Sequence, residues 1–421
     1  MFKFVFISIC CFTFNSSFSQ VEEGRRITKE LCSEKYFGRG YIKSGDSLAA
    51  EFLASEFEKR GLKKIKKSWF QEFNFPVNTF PANMEVKFDD KMLVAGQDYI
   101  VDPSSGSSNM NWNYKILTNS ELFDEKRLFE IVAEMQLKKI INGLIVDTRF
   151  LKGDSLKKVK SIQFQLAQIC AVMSVTDEKF TFSVSDEQFP FALIYVKGEK
   201  FLENGMIIQT NITAVLEKNH QARNVLAYLP GKNRTKKTLL VTAHYDHLGG
   251  MGDKTYFPGG NDNASGTSML LALADEFKKN PLKYNVVFIA FAGEEAGLLG
   301  SKYFVENPLV KLKNIKFVQN LDIMGSGEEG ITVVNATVFP EIFEKLNSIN
   351  DRENLLSQIK KRGKAANSDH YWFSEKGIPA FFIYTMGPNK NYHDVFDTYE
   401  DLSFNEYNDL VKLIGGFLRT F

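Results

Sequence analysis

The sequence predicts an α/β protein: a three-layer α/β/α domain on a mixed, mostly parallel sheet, carrying a β-rich insertion. Three observations predict it. From Arg223 onward, short apolar runs alternate with amphipathic helical stretches. Those runs are apolar throughout, as expected of strands covered by helices on both faces. Between about Phe75 and Leu216 the rhythm changes to short β-like runs among polar loops marked by Pro, Asn and Ser.

In chain order, residues 1–19 hold one Lys ahead of an apolar stretch from Phe4 to Phe14, then small residues at Ser17 and Ser19. This is the pattern of a secretory leader cleaved between Ser19 and Gln20. The stretch is short for a membrane span, so a secreted or periplasmic protein is expected. Residues 20–74 form an N-terminal helical part of the main domain. Its clearest helix is Ser47 to Arg60, with Leu48, Phe52, Leu53 and Phe57 at helical spacing. A Gly-Arg-Gly break sits at Gly38 to Gly40. Residues 75–216 are the β-rich module, with strands at Met84 to Phe88, Gly143 to Asp147 and Ala192 to Val196. One helix is expected there, near Leu122 to Gln136. Residues 217–421 are the rest of the main domain. Strands are expected at Asn224 to Leu229, Thr238 to Ala243, Asn285 to Ala292, Ile315 to Ile323 and Pro379 to Thr385. Helices are expected at Ala264 to Lys279 and Phe404 to Leu418.

Composition narrows the function. The chain has 421 residues, 44% hydrophobic and 24% charged, which is the balance of a folded protein. With 52 Lys and Arg against 51 Asp and Glu, it has no global field to draw in nucleic acid or an anionic membrane. No later segment reads as a transmembrane span. Beyond the leader only Cys32 and Cys170 remain. Two cysteines build neither a disulfide scaffold nor a cysteine-ligated zinc site, and their pairing is left open.

The chemistry gathers at strand ends. The chain has five His, and four of them fall in the alternating region. His244-Tyr245-Asp246 follows the strand ending at Ala243. Gly259-Gly260-Asn261-Asp262-Asn263 opens a helix. Glu294-Glu295 follows the buried strand ending at Ala292. Asp322 ends another strand, and Tyr392-His393-Asp394 follows the last. Ligands in α/β sheets collect at the carboxyl ends of strands. His244, Asp262, Glu295, Asp322 and His393 thus supply five N or O donors to one place. Adjacent carboxylates such as Glu294 and Glu295 repel each other unless a metal holds one. Imidazole with carboxylate suits zinc, and two ions can share one bridging carboxylate.

These residues resemble the M28 family of zinc exopeptidases. The motifs are AHYDH at 243–247, GGNDNASG at 259–266, AGEEAGLLGS at 292–301, NLDIMG at 320–325, SDH at 368–370 and YHDVFDT at 392–398. They stand in the family's order, and the match covers roughly Ser19 to Leu62 and Ala222 to Phe421. The resemblance implies two zinc ions per chain. His244 and Asp322 would hold one, Glu295 and His393 the other, with Asp262 bridging. It implies that Asp246 orients His244, that Glu294 is the general base and that Tyr392 hydrogen-bonds the developing oxyanion. It also implies a cis peptide after Asp262 and a protease-associated-like module at 75–216. His247 and His370 are expected to support the site rather than ligate. The implied activity is an aminopeptidase acting on peptides with a free N-terminus. A glutaminyl cyclase-like zinc acyltransferase, an M28-type carboxypeptidase and a binding protein on an inactive scaffold are the rivals. The carboxypeptidase requires a cationic pocket.

Overall fold

Alternation along each strand decides which helices it meets. In Thr238–His244, Leu239, Val241 and Ala243 face one side of a sheet and Leu240 the other. In Asn285–Phe291, Val286, Phe288 and Ala290 face the first side, and Val287, Ile289 and Phe291 the second. Both sides are apolar, so both must be covered. Helices Ser17–Leu31, Gly45–Lys59, Gly266–Lys279, Pro340–Glu353 and Tyr407–Leu418 cover the first. Leu299–Glu306 and His370–Glu375 cover the second through Phe304, Val305 and Phe373. Fully burying a side chain such as Phe288 contributes about 1.5–3 kcal/mol, which is what holds the layers together. The computed structural model describes residues 17–201 and 205–421. Most of the expected leader, residues 1–16, lies outside them.

The main sheet comprises, in chain order, β1 (Phe70–Thr79), β2 (Val215–Leu229), β3 (Thr238–His244), β4 (Asn285–Phe291), β5 (Ile315–Leu321), β6 (Ile331–Val334), β7 (Ile359–Lys361) and β8 (Ala380–Thr385). Across the sheet they run β1-β2-β4-β3-β5-β8-β6-β7. The central strands β4, β3, β5 and β8 are parallel neighbours. β1, β2 and β4 pair antiparallel at one edge, and β6 pairs antiparallel with β8 near the other. This is the three-layer, mixed sheet expected. Four parallel strands side by side bring four carboxyl ends to one rim, which becomes the site.

β1 was not expected. Its first residues fall in the segment read as helical, and it pairs with β2 from Phe70↔Val225 to Thr79↔Val215. The chain leaves the main sheet at Thr79 and re-enters it at the partner residue. Between these points lie a five-stranded sheet and a four-stranded antiparallel sheet. The expected strands at 84–88 and 143–147 are there, and a third runs Leu193–Lys197. Two features differ from the sequence reading. Strands Tyr114–Leu117, Gly143–Asp147, Ala171–Thr176 and Leu193–Lys197 are parallel. A second long helix, Gly153–Ala167, follows the expected one at Glu125–Lys138. Its apolar residues Leu156, Val159, Ile162 and Leu166 sit at helical spacing, which packs Val159 and Leu166 against the strands.

Among the described residues no helix is long and apolar enough to cross a membrane. Cys32 and Cys170 are buried and unpaired.

Candidate metal centre

Each strand end delivers one part. β3 finishes at His244, and the next residue is anchored by Tyr245 N–H donating to the Phe291 carbonyl, 2.9 Å. β4 is followed by Gly293, whose φ of 65° turns the chain so that Glu294 and Glu295 reach the rim. β5 is followed by Asp322, whose N–H donates to the Ile383 carbonyl of β8, 3.1 Å. The loop after β8 brings His393, and the turn before helix Gly266–Lys279 brings Asp262.

Asp262 is the centre of the arrangement. Its Oδ1 lies 3.3 Å from His244 Nε2, and its Oδ2 lies 3.1 Å from His393 Nε2. His244 Nε2 also lies 3.4 Å from Asp322 Oδ2, and His393 Nε2 lies 3.3 Å from Glu295 Oε2. The five expected donors therefore form two clusters joined through one carboxylate. His244, Asp262 and Asp322 are all buried, and Asp322 Oδ1 has no hydrogen-bond partner. A buried carboxylate oxygen without a donor, in a group of His244, Asp262 and Asp322 close enough to hold an ion, fits a cation site. Burial raises the Asp262 pKa, but hydrogen bonds from His244 and His393 outweigh it and hold the carboxyl well below the usual range.

Main-chain contacts fix both rings. His244 Nδ1 lies 3.2 Å from the Asp246 carbonyl, and His393 Nδ1 lies 3.0 Å from the Phe182 carbonyl. A carbonyl can only accept, so each Nδ1 carries a proton, and each Nε2 is the ring atom that could bind a metal on losing its own. Asp246 thus orients His244 through its backbone, since its own Oδ1 is 3.9 Å away. Its carboxylate has other donors: the N–H groups of Glu294 and Glu295 at 3.2 and 3.3 Å, and the Tyr41 hydroxyl at 2.9 Å. It shapes the Glu294-Glu295 turn.

The peptide bond between Asp262 and Asn263 is cis, as expected. Asn263 ties this turn to β5: its Nδ2 donates to the Leu321 carbonyl at 3.0 Å, and its Oδ1 accepts from Gly266 and Ile323 N–H. A Cβ on Gly266 would stand 2.2 Å from that Oδ1, so glycine is required there. Asp397 accepts the N–H groups of Asn261 and Asp262 at 2.9 and 3.0 Å. Ser368 donates to Asp322 Oδ2 at 3.2 Å and is itself held by Asn320 and, behind it, Thr242. Arg39, fully buried, donates to the carbonyls of Leu31, Tyr245, Pro258 and Gly259. The sequence reading missed Arg39, Tyr41, Asp397 and Phe182. For Arg39 the Gly-Arg-Gly break was a signal. Phe182 acts through its main chain and left none.

Two further histidines lie nearby, and His247 groups with Asp262 and Glu295 closely enough to hold a metal. His247 Nδ1 lies 2.7 Å from Glu295 Oε1, which leaves Oε2 facing His393. His370 packs on Phe382, and burial pushes its pKa down to about 4. Glu294 sits at the rim. Burial holds its carboxyl well above the usual range, His244 opposes this, and Glu295 and Asp369 reinforce it. Tyr392 is half exposed and stacks on His393 with ring centroids 3.9 Å apart. His244, Asp262, Glu294 and Asp322 face a cleft of about 190 Å³ that Tyr392 also lines.

Residues 224–418 match peptidase family M28. The chain is similar to aminopeptidase YwaD of Bacillus subtilis, 32% identical over 194 residues, covering 44% of this chain and 41% of that one. It is also similar to a probable leucine aminopeptidase of Arthroderma otae, 30% identical over 212 residues, covering 48% and 58%. The chain spans about half the length of these curated relatives. In fold it resembles BSAP, a zinc aminopeptidase from Bacillus subtilis, with a TM-score of 0.70 at 19% identity over 95% of this chain and 94% of that one. It also resembles an aminopeptidase from Aneurinibacillus sp. strain AM-1, with a TM-score of 0.61 at 18% identity over 94% and 92%. The M28 match contains every expected ligand and begins within β2.

Proposed function

We propose that this chain is a peptidase of the M28 type, an exported zinc aminopeptidase that releases N-terminal residues from peptides. The observation that carries the reading is the split of Asp262, one oxygen toward His244 and the other toward His393. Each half has a further carboxylate, Asp322 or Glu295, so the site fits two zinc ions, His244 and Asp322 on one and Glu295 and His393 on the other. Zinc there supplies a water of lowered pKa and polarises the scissile carbonyl.

The chain's own residues do the rest. The Glu294 carboxylate takes the proton from the attacking water and delivers it to the departing amine nitrogen. Asp246 keeps Glu294 in position by accepting its N–H. The Tyr392 hydroxyl donates to the oxyanion as it develops. The cleft is walled by Phe382 and Tyr384, adjacent residues of one face of β8, which shelter the reacting bond from bulk water. We place residues 80–214 in the role of an inserted module beside the centre, and residues 1–19 in that of a leader.

The test uses mature protein with zinc and short peptides, some free and some blocked at the N-terminus, some starting with Gln. Mass spectrometry follows the products, and metal analysis counts zinc per chain. Stepwise trimming of free-ended peptides alone, abolished by Glu294→Ala, supports the aminopeptidase. Loss of ammonia from Gln peptides without trimming supports a cyclase, and loss of C-terminal residues supports a carboxypeptidase.

A further inference from the structure

A cation stands where the reading above does not ask for one. Apart from the histidines, Arg362 is the basic side chain lining the cleft over the candidate metal centre. It follows β7 immediately, and its position is fixed by the sheet. Lys361 pairs with Val333 of β6, and Arg362 N–H donates to the Val333 carbonyl at 2.9 Å. On the other side of β6, Thr332 pairs with Tyr384 of β8. Thr332 also pairs with Lys360, so Arg362 lies two residues along from the row of Tyr384, and its Nη1 reaches across to donate to the Tyr384 hydroxyl at 3.4 Å. Among the described residues the guanidinium has no carboxylate partner.

A peptide entering amine-first brings its own positive charge. Electrostatics alone would keep another cation away from that path. The carboxylates of the cleft, Asp262, Glu294 and Asp322, are committed to metal and proton. Arg362 is held back from them and offers the planar fork that matches a carboxylate. Tyr384 steadies the fork without neutralising it.

We propose that Arg362 reads a carboxylate on the substrate, so that the enzyme selects acidic or very short peptides. The proposal rests on the peptidase reading of the site. The carboxylate has two sources: an Asp or Glu side chain beside the scissile bond, or the C-terminal carboxylate of a dipeptide.

Matched pairs separate the sources. One pair carries Glu or Gln as the first residue, a second carries Glu or Gln as the second residue, and a third is Leu-Ala with a free or amidated C-terminus. The kcat/KM of each is measured for the wild type, Arg362→Gln and Arg362→Lys. In at least one pair the carboxylate member is favoured about tenfold or more, as a charge-assisted pair allows. Arg362→Gln erases that preference and Arg362→Lys keeps part of it. Cleavage of the amidated Leu-Ala stays within about threefold in both variants, because an exposed charge acts weakly on a neutral substrate. Calorimetry with the same pairs on Glu294→Gln protein, with and without Arg362→Gln, reads binding without turnover. Trimming at equal rates in every pair, unaffected by Arg362→Gln, overturns this proposal and leaves the peptidase reading intact. Tighter binding of the carboxylate member through Arg362, with no trimming of any peptide, overturns the peptidase reading alone. No preference in binding or turnover overturns the Arg362 proposal.

Discussion

His393 and Phe182 hold each other through two hydrogen bonds, one between main chains and one from the imidazole. Phe182 N–H donates to the His393 carbonyl at 2.8 Å, and His393 Nδ1 donates to the Phe182 carbonyl at 3.0 Å. Phe182 belongs to the excursion between β1 and β2, whereas His393 follows β8. The neighbouring contacts repeat the link. Lys179 pairs with Asp394 at 2.6 Å, and the Phe182 ring stacks on Phe257 with centroids 4.9 Å apart. The inserted segment therefore sets the tautomer of a candidate zinc ligand, beyond any role in covering the cleft.

Replacing Phe182 separates these two functions. Phe182→Ala removes the ring stack and keeps both main-chain groups, so zinc affinity should stay near that of the wild type. Phe182→Pro removes the N–H, and the ion held by Glu295 and His393 should bind about 10–100-fold more weakly. Zinc competition with a chelator reads the affinity, and circular dichroism confirms that each variant is folded. Equal affinity in both variants would remove the insertion from the support of the centre.

Losing the bridge should differ from losing an arm. Asp262→Ala takes one oxygen from each cluster, so metal analysis should find little zinc at either position. Asp322→Ala strips the His244 side alone, and the count should fall by about one ion, since each structural half still has imidazole and carboxylate on the other side. An identical zinc count in the two variants contradicts the two-cluster reading.

Asp246 accepts three donors, and an amide cannot replace it. In Asp246→Asn the Nδ2 would face an N–H that needs an acceptor. Stability should drop by about 1–3 kcal/mol for the group left unpaired. Activity should fall further still, because the Glu294-Glu295 turn loses its anchor. Tyr41→Phe removes a single donor at 2.9 Å and should cost about 0.5–1.5 kcal/mol. Urea unfolding and kcat/KM on one peptide measure both. A larger stability loss in Tyr41→Phe than in Asp246→Asn would reverse the assigned importance.

The sheet and the candidate donors at its rim were legible in sequence for one reason: both repeat a pattern. An apolar run such as Leu239 to Ala243 ending in His244 announces a strand and its delivered side chain together. Four such ends at one rim make the centre. What was not legible acts without a pattern. Phe182 contributes a carbonyl and an N–H, which every residue has. Asp246 looks like a partner for His244 because it is two residues away, yet folding brings it three better donors from distant segments. β1 shows neither strict alternation nor a turn signal at its start, and it becomes a strand by pairing with β2. Gly153–Ala167 did carry helical spacing, and its many lysines mask the apolar stripe.

Acid should weaken the helical layer before it reaches the sheet. Glu23 bonds Arg26 and Arg60, each at 2.7 Å, and Arg60 reaches Glu56 at 2.6 Å and Asp275 at 3.1 Å. This network ties helix Ser17–Leu31 to Gly45–Lys59 and Gly266–Lys279. The hydrogen bond from Arg26, opposed by burial and reinforced by Arg60, lowers the Glu23 pKa from 4.5 to about 2. A depressed folded pKa stabilises the native state above the unfolded value. The contribution is present above about 4.5 and is lost as pH falls through about 2. The melting temperature should fall between pH 5 and pH 3, and the fall should be smaller in Glu23→Gln. Parallel curves for the two proteins would rule this network out as a source of the acid sensitivity.

Arg39 joins the same helical layer to the metal centre, by a different logic. It is fully buried, yet its guanidinium hydrogen-bonds to main-chain oxygens rather than to a carboxylate. Two of these, Pro258 and Gly259, open the turn that carries Asp262, and a third, Tyr245, lies between His244 and Asp246. Arg39→Met keeps a long apolar stem and leaves those oxygens without a donor. The φ of 50° at this position strains any side chain equally, so the substitution does not change the backbone cost. Each buried carbonyl left unpaired costs about 1–3 kcal/mol, and removing a buried charge returns part of that. A net loss of about 3–5 kcal/mol in urea unfolding is expected, with weaker zinc binding in the variant that still folds. Arg39→Lys should fall between, since three donors on one nitrogen cannot reach oxygens that a planar fork spans. If Arg39→Met loses less than about 1 kcal/mol and keeps its zinc, the turn holds its shape without the arginine, and Asp397 alone must be fixing Asp262.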